Sequence, residues 1–536
     1  MNQQENVQKD TFWLPLLVVV MGAFAAILNN SSINVALPKL MSIFGVGADE
    51  IQWVLTAYML VGGVVIPITG YISDYLGVKK VYLLSMAIFS FGSVLCSLAW
   101  SNETMIAARI IQGIGGGAVM PVSMAIVYNI VPRQKIGMAL GVWGMAAIFA
   151  PAIGPSLGGY IIDHFNWRFL FTMNIPVGMA GIVLGYLLLP ESPRLKVSKL
   201  DIWGFLLSTT GCFALLLALS QGHKEGWTSY YIVTLFTVSF FTLLLFVIVE
   251  LGQEQPLLDL RLFKGKVFSI SVFASSMINM GLFGGVFLIP LFTQNLLSMT
   301  PLETGLLMMP AALVSAVMMP ISGILFDRFG AKLLCLVGMS ITAWGTWLLH
   351  TINLDTSNST IIFDTVFRSV GMGLAMMPIT TAGMNTVPIQ QIARASALST
   401  VVRQVAASFG IAILTSTMQN RQVFHYAHLS EAVSVGSASS SFLSQLQNYF
   451  SGLGAGSSAT SAAVSVVGGI VTRESLVRAI DDTFLVAAIF IVIAIPFVFF
   501  ISKPGQKQAK SPMPEPDPER ENPAGPGQLV ESPSAT

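Results

Sequence analysis

Charge is scarce in this 536-residue chain: Asp, Glu, Lys and Arg supply 10% of the residues, against roughly a quarter in an ordinary soluble domain. A soluble globular protein is excluded, and a net charge of +1 says little about partners, because the distribution of charge matters more than its sum; no nucleic-acid partner is expected. Cysteine is equally sparse. Cys96, Cys212 and Cys335 stand far apart, each within an apolar segment, so neither a disulfide framework nor a metal-ligand spacing is present. No GxxxxGK[ST] loop occurs and the five histidines fall mainly in loops. An attached ATPase domain, a catalytic constellation and a bound cofactor are therefore not expected. Ten-residue stretches of alternating polarity are also missing, which excludes a β-barrel.

What fills the chain is hydrophobic residue, 54% of the total, gathered into runs of roughly 20 that match the hydrocarbon thickness of a bilayer. Fourteen such runs, from 14–36 to 483–501, predict an all-α protein with fourteen membrane spans. Met1 to Thr11 is polar and no small-residue cleavage site follows the first run, so that run is expected to be a retained span rather than a signal peptide. Lys79, Lys80, Arg133, Lys135, Arg194, Lys196, Lys199, Arg261, Lys264, Lys266, Arg328, Lys332, Arg394, Lys503, Lys507 and Lys510 fall in loops of one side. Positive charge marks the cytoplasmic face, so both termini are expected inside.

PITGYISDYLGVK, beginning at Pro67, returns as PISGILFDRFGAK at Pro320, identical at six positions. Internal duplication is how membrane carriers build two bundles around a central site. The offset pairs span 1 with span 9 and span 2 with span 10. The resulting division is a cytoplasmic N-terminus (1–13), a six-helix bundle (14–190), two inserted helices with linkers (191–266), a second six-helix bundle (267–502) and a disordered cytoplasmic tail (503–536). The second bundle includes a long external loop, 420–478, rich in Ser, Gly and Ala. Within it Phe442, Leu443, Leu446, Phe450 and Leu453 have the spacing of one amphipathic helix. His425 and His428 also lie there and read as a solvated pair rather than a metal site.

In each repeat, Gly70, Asp74, Gly77, Lys79 and Lys80, and Gly323, Asp327, Arg328, Gly330 and Lys332, place a carboxylate and cations at helix ends. Such a cluster can join two helices in one state and release them in another. Arg109, with Gln112 and Gly113, lies inside an apolar run, where an Arg costs roughly 2.5–3.5 kcal/mol unless it faces a polar cavity or a partner. Arg368 echoes it in the second half. Pro151, Gly154, Pro155, Gly158 and Gly159 give span 5 a bend and a small-residue face.

The GYISDYLGVKK stretch resembles the cytoplasmic-loop motif of the major facilitator superfamily, and RIIQGIGGG resembles its fourth-span motif. APAIGPSLGG is similar to the antiporter motif of the superfamily's export members. NWRFLFTMNIPVG, INVALP, QWVLTAY and QPLLDLRLF resemble the fourteen-span drug:proton antiporters of the EmrB and QacA type, over about residues 14–500. The resemblance implies a secondary active exporter of lipophilic drugs or toxic small molecules, driven by proton antiport through alternating access in the cell membrane. Its partners would be a small lipophilic substrate, protons and the lipid bilayer. The external segment is a candidate contact for a membrane-fusion adaptor protein. The alternative is a carrier for one metabolite, lipid or siderophore, acting as uniporter, flippase or importer.

One position departs from that pattern. Many relatives carry an acid in span 1, where this chain has Asn29, and an amide cannot carry a proton. Coupling then requires another carboxylate. Asp364, one turn from Arg368 and able to pair with it at i, i+4, is the leading candidate, and Glu303 follows. Asn29, Asn30, Asn34, Asn279, Gln294, Asp364 and Arg368 are the expected polar lining of the central cavity, beside Met308, Met309, Met318, Met319, Met376 and Met377. Arg109, Arg368 and Arg403 favour neutral or anionic lipophilic cargo over dications.

Overall fold

A computed structural model describes residues 12–132, 135–191, 201–253, 256–431, 438–453 and 458–501. Arg133, Arg194, Lys196, Lys199, the expected disordered tail with its lysines, and Met1 to Thr11 lie outside the described residues. The helices run α1 (Trp13–Phe44), α2 (Trp53–Leu76), α3 (Val78–Leu98), α4 (Asn102–Ile130), α5 (Ile136–His164), α6 (Asn174–Leu188), α7 (Ile202–Glu225) and α8 (Tyr230–Gly252). They continue as α9 (Lys266–Asn295), α10 (Pro301–Phe329), α11 (Ala331–Leu348), α12 (Asn358–Met384), α13 (Ile392–Glu431), α14 (Ala438–Gly452) and α15 (Ala459–Val498). Thirteen of these, all except α5 and α14, are long and apolar enough to cross a bilayer as they stand, α6 together with the short helix ahead of it. The fourteenth span is α5, bent by 43° between Ile136–Pro151 and Ile153–His164. A proline inside a helix removes one backbone hydrogen bond and clashes with the preceding turn, which accounts for a bend at Pro151.

Helix ends are set locally. Ser101 and Thr104 form a capping box at α4, and Thr300 and Glu303 form another at α10, with Pro301 in its first turn. The repeated motif turns at Gly77 (φ 90°) and Gly330 (φ 78°), in the left-handed region that favours glycine. This is why both copies keep that residue.

Within 420–478, where a loop is expected, nearly all the described residues are helical. α13 and α15 are each 40 residues long, roughly 60 Å at 1.5 Å per residue, and so project well beyond a bilayer. Asp482 of α15 fastens the projecting end of α13, accepting from Arg421 Nε at 2.5 Å and from His425 Nε2 at 2.7 Å. His425 is thus part of an ion-pair network instead of a solvated pair, while His428 stacks on Phe424. The amphipathic helix forms as α14 and packs on α15, with Leu443, Leu446 and Phe450 half-buried and Phe442 and Leu453 exposed.

Each half packs around glycines and apolar side chains, and the two halves meet through α2 against α13 and α10 against α5. These two contacts are equivalent under the duplication. One buried apolar cluster runs across both halves at the basic end, joining Tyr128, Trp143 and Val127 to Met319, Met377, Ile392 and Leu398. Toward the opposite end the clusters divide: Ile33, Leu40, Trp167 and Phe171 belong to the first half, and Leu288, Phe292, Ile361 and Phe484 to the second. The molecule is sealed on the side that the charge bias assigns to the cytoplasm.

Candidate transport pathway and its cytoplasmic gate

Gate residues come from the ends of helices that belong to different halves. Asp74, near the end of α2, accepts a hydrogen bond from Arg394 Nε at 2.6 Å, and the two side chains are 5% and 14% exposed. A Cβ on Gly70 would stand 3.1 Å from the Arg394 Cα, so the glycine lets α13 come close enough for the pair to form. Ser396 adds a hydrogen bond to the Pro121 carbonyl of α4 at 3.0 Å. Beside Asp74, Lys79 pairs with Glu191 at 3.3 Å and covers the Tyr186 ring, whereas Lys80 is exposed.

The second motif copy closes against α5 by contact of small residues: a Cβ on Gly323 would collide with the Gly137 carbonyl. A Cβ on Gly137 would lie 3.0 Å from Asp327 Oδ1, which places that carboxylate at the N-terminus of α5, where the helix dipole favours negative charge. Asp327 and Arg328 are exposed. Lys332 lies over the Phe499 ring at 5.5 Å. The copies thus differ in chemistry, one closing on an ion pair and the other on glycine packing.

Several expected cavity residues turn out to be struts inside one half. Arg109 is fully buried and donates from Nε to the Val54 carbonyl at 3.0 Å and from Nη1 to Gln112 Oε1 at 2.6 Å, with its guanidinium 4.2 Å from the Tyr58 ring. Gln112 passes the chain on to Ser93 Oγ at 2.7 Å, and Gly113 seats α4 against α2 at the Tyr58 carbonyl. Arg368 does the same in the second half. It donates to Thr346 Oγ1 and to the Gly281 and Leu282 carbonyls, each at 3.1 Å. The expected Asp364–Arg368 pair does not form, because the guanidinium is directed at α9 and α11. Burial in a low-dielectric interior makes carbonyl oxygens sufficient partners when several converge on one planar fork.

Asn29 is likewise buried, and its Oδ1 accepts from Asn174 Nδ2 of α6 at 2.9 Å. Asn30 is half-buried with an unpartnered Oδ1, and Asn34 is exposed. Gln294 is half-buried at the end of α9, and Asn279 donates to the Ser275 carbonyl at 2.7 Å. Glu303 serves the cap of α10, accepting from Thr300 N at 2.8 Å. Asp364 is 7% exposed and makes no hydrogen bond or ion pair with a described residue. Arg403 is half-buried, bonded through Nη2 to Thr400 Oγ1 at 3.3 Å.

In α5, Ser31 donates to the Pro151 carbonyl at 2.9 Å, and Cβ atoms on Gly154 and Gly158 would collide with Ser31 and with the Ser32 carbonyl, at 2.5 Å for the latter. The small-residue face therefore presses α5 onto α1, while Gly159 makes only ordinary contact with Val35 and Pro155 is half-buried. Met319 and Met377 are buried against Gly144 of α5 in the cytoplasmic seal, not spread along a pocket. Arg394 is the functional residue that sequence reasoning placed only as a loop charge. Its signal was a lone Arg at the start of a span whose duplicate partner contacts the motif helix.

The model of the Major Facilitator Superfamily matches residues 19–411. Similar curated proteins include the uncharacterized MFS-type transporter YhcA of Bacillus subtilis, 36% identical over 91% of this chain and 92% of its own. The multidrug transporter protein MdtP of B. subtilis is 31% identical over 78% of this chain and 77% of its own. The multidrug export protein EmrB of Escherichia coli is 28% identical over 94% and 98%. Among solved structures, the proton:xylose symporter XylE aligns with a TM-score of 0.61 at 15% identity, covering 92% of this chain and 96% of that one. That likeness is one of fold.

Proposed function

Because the chain belongs to the major facilitator superfamily, whose members carry solutes across membranes, we propose that it exports lipophilic drugs or other toxic small molecules by alternating access, driven by proton antiport. The observation that carries this reading is the similarity to proteins named as multidrug exporters, over 94% of the chain for EmrB of E. coli and 78% for MdtP. The cytoplasmic closure supports the mechanism: Asp74–Arg394 and the apolar cluster at Trp143, Met319 and Met377 hold that end shut, while toward the other the apolar clusters of the two halves are separate and the halves touch where Gly305 of α10 meets Ser156 of α5. Two of the three arginines that favoured anionic cargo are occupied by carbonyls. Only Arg403 remains for an anionic group, so neutral lipophilic compounds fit best.

Asp364 is the coupling residue in this reading. The residue is 7% exposed and pairs with no described cation, so nothing in the described structure ties the carboxylate to a structural role. Asparagine keeps its volume and removes the titration. In liposomes with an imposed proton gradient, wild-type protein is expected to move a neutral lipophilic dye against its gradient with matching proton flux, and Asp364→Asn to lose at least about tenfold of the coupled rate. Dye movement with unaltered proton flux in the variant would remove Asp364 from the coupling path. Dye movement without any proton flux in the wild type would make the protein a facilitator.

A further inference from the structure

The inserted helices α7 and α8 lie outside the two bundles, yet α7 touches both. It packs on α2 of the first half and α13 of the second. Leu216 fills the notch left by Gly63, whose Cβ would stand 2.6 Å from Leu216 Cδ1, and Leu60, Leu216 and Leu217 are buried together. The outer end of α7 is fastened twice: Lys224 Nζ to Asp49 Oδ1 at 2.6 Å, and His223 to Gln419 by a hydrogen bond. α8 turns back through Gly226 and is held by Ser239 Oγ on the Gly211 carbonyl at 3.0 Å. Its other face, with Phe240, Phe241, Leu244 and Ile248, is exposed to lipid.

Between this pair and α13 lies a cavity of about 330 Å³, walled by Trp227, Phe236, Phe409 and Ile413, with Thr417 and Asn420 among its lining. That volume is at the lower end of the range for small-molecule sites, and an apolar wall with few polar groups is the usual composition of such sites. A second cavity, of about 60 Å³, is bounded by Thr56 of α2, Leu216 of α7, and Gln404 and Ser408 of α13. Both cavities are walled in part by α7 and α13. The smaller one opens on the seam where the halves meet.

We propose that the larger cavity is a second ligand site, taking a neutral lipophilic molecule with one hydrogen-bonding group. This rests on the reading of the cargo as lipophilic. Aromatic walls accept a flat apolar body, and Thr417 and Asn420 meet its single polar group.

The test uses the full chain in liposomes with N-phenyl-1-naphthylamine as the probe. Ala412→Trp fills the larger cavity, Thr417→Val removes a hydroxyl at constant size, and Ile489→Trp, on the lipid face of α15, is the control. Export is expected to fall about fivefold or more in Ala412→Trp, to show a raised KM with unchanged kcat in Thr417→Val, and to stay unaltered in the control. Independently, Thr417→Cys is expected to be alkylated by N-ethylmaleimide several-fold more slowly in saturating probe. Wild-type export in Ala412→Trp and Thr417→Val, with alkylation of Thr417→Cys indifferent to the probe, would overturn the site and leave the cavity to lipid acyl chains. If the wild type exports no probe under a proton gradient, the exporter reading fails by itself, while protection of Thr417→Cys still reports the site.

Discussion

Asp74→Asn is expected to reduce export by about a hundredfold. Removing one partner of a buried ion pair costs roughly 3–5 kcal/mol because the survivor keeps its charge without compensation. Arg394 retains 14% of its side-chain exposure, which places the expected cost near the lower limit, about 3 kcal/mol or a hundredfold in an equilibrium constant. The pair bridges the halves only while the cytoplasmic end is shut, so the whole cost falls on that state. Two measurements check this. Dye export should drop, and Ala397→Cys, buried beside Gly70 in the closed seal, should become open to a membrane-impermeant maleimide from the cytoplasmic side. Removing both charges, as in Asp74→Asn with Arg394→Gln, should restore part of the closure, since no unpaired charge remains. Wild-type export with Ala397→Cys still protected would show that the seal is held by apolar packing alone.

Arg109→Leu is expected to be the most damaging single change to the first half. The guanidinium joins α2 to α4 through the Val54 carbonyl, sits on the Tyr58 ring and orders Gln112. Deleting it leaves buried acceptors unmet, each costing roughly 1–3 kcal/mol, and forfeits the stacking. A loss of about 3 kcal/mol or more should appear as a lowered unfolding temperature in detergent together with absent export. Arg109→Lys should recover little, because an ammonium cannot reproduce the planar fork. Wild-type thermal stability with abolished export would instead place Arg109 in the transport cycle.

The all-helical class, the spans and the turns of the repeated motif were legible in the sequence, since each rests on local physics. A run of about 20 apolar residues needs a bilayer, positive φ at a turn favours glycine at Gly77 and Gly330, and α5 bends where Pro151 stands. Even the amphipathic spacing from Phe442 to Leu453 became a helix. The stretch 420–478 misled because Ser, Gly and Ala weaken an apolar signal without preventing a helix, and α13 and α15 extend through it by pairing at Asp482.

Side-chain destinations were the part that needed the folded chain. An Arg in a span must find partners, but nothing in its neighbourhood of sequence says whether these are a cavity, a carboxylate one turn away or the carbonyls of another helix. Arg368 chose α9 and α11 over Asp364, Asn29 chose Asn174 of α6, and Asp74 chose an arginine 320 residues further along. Helix periodicity constrains which face a residue occupies, whereas the partner on that face depends on how fourteen helices are arranged around one another. That arrangement is set by the summed packing of the whole membrane domain.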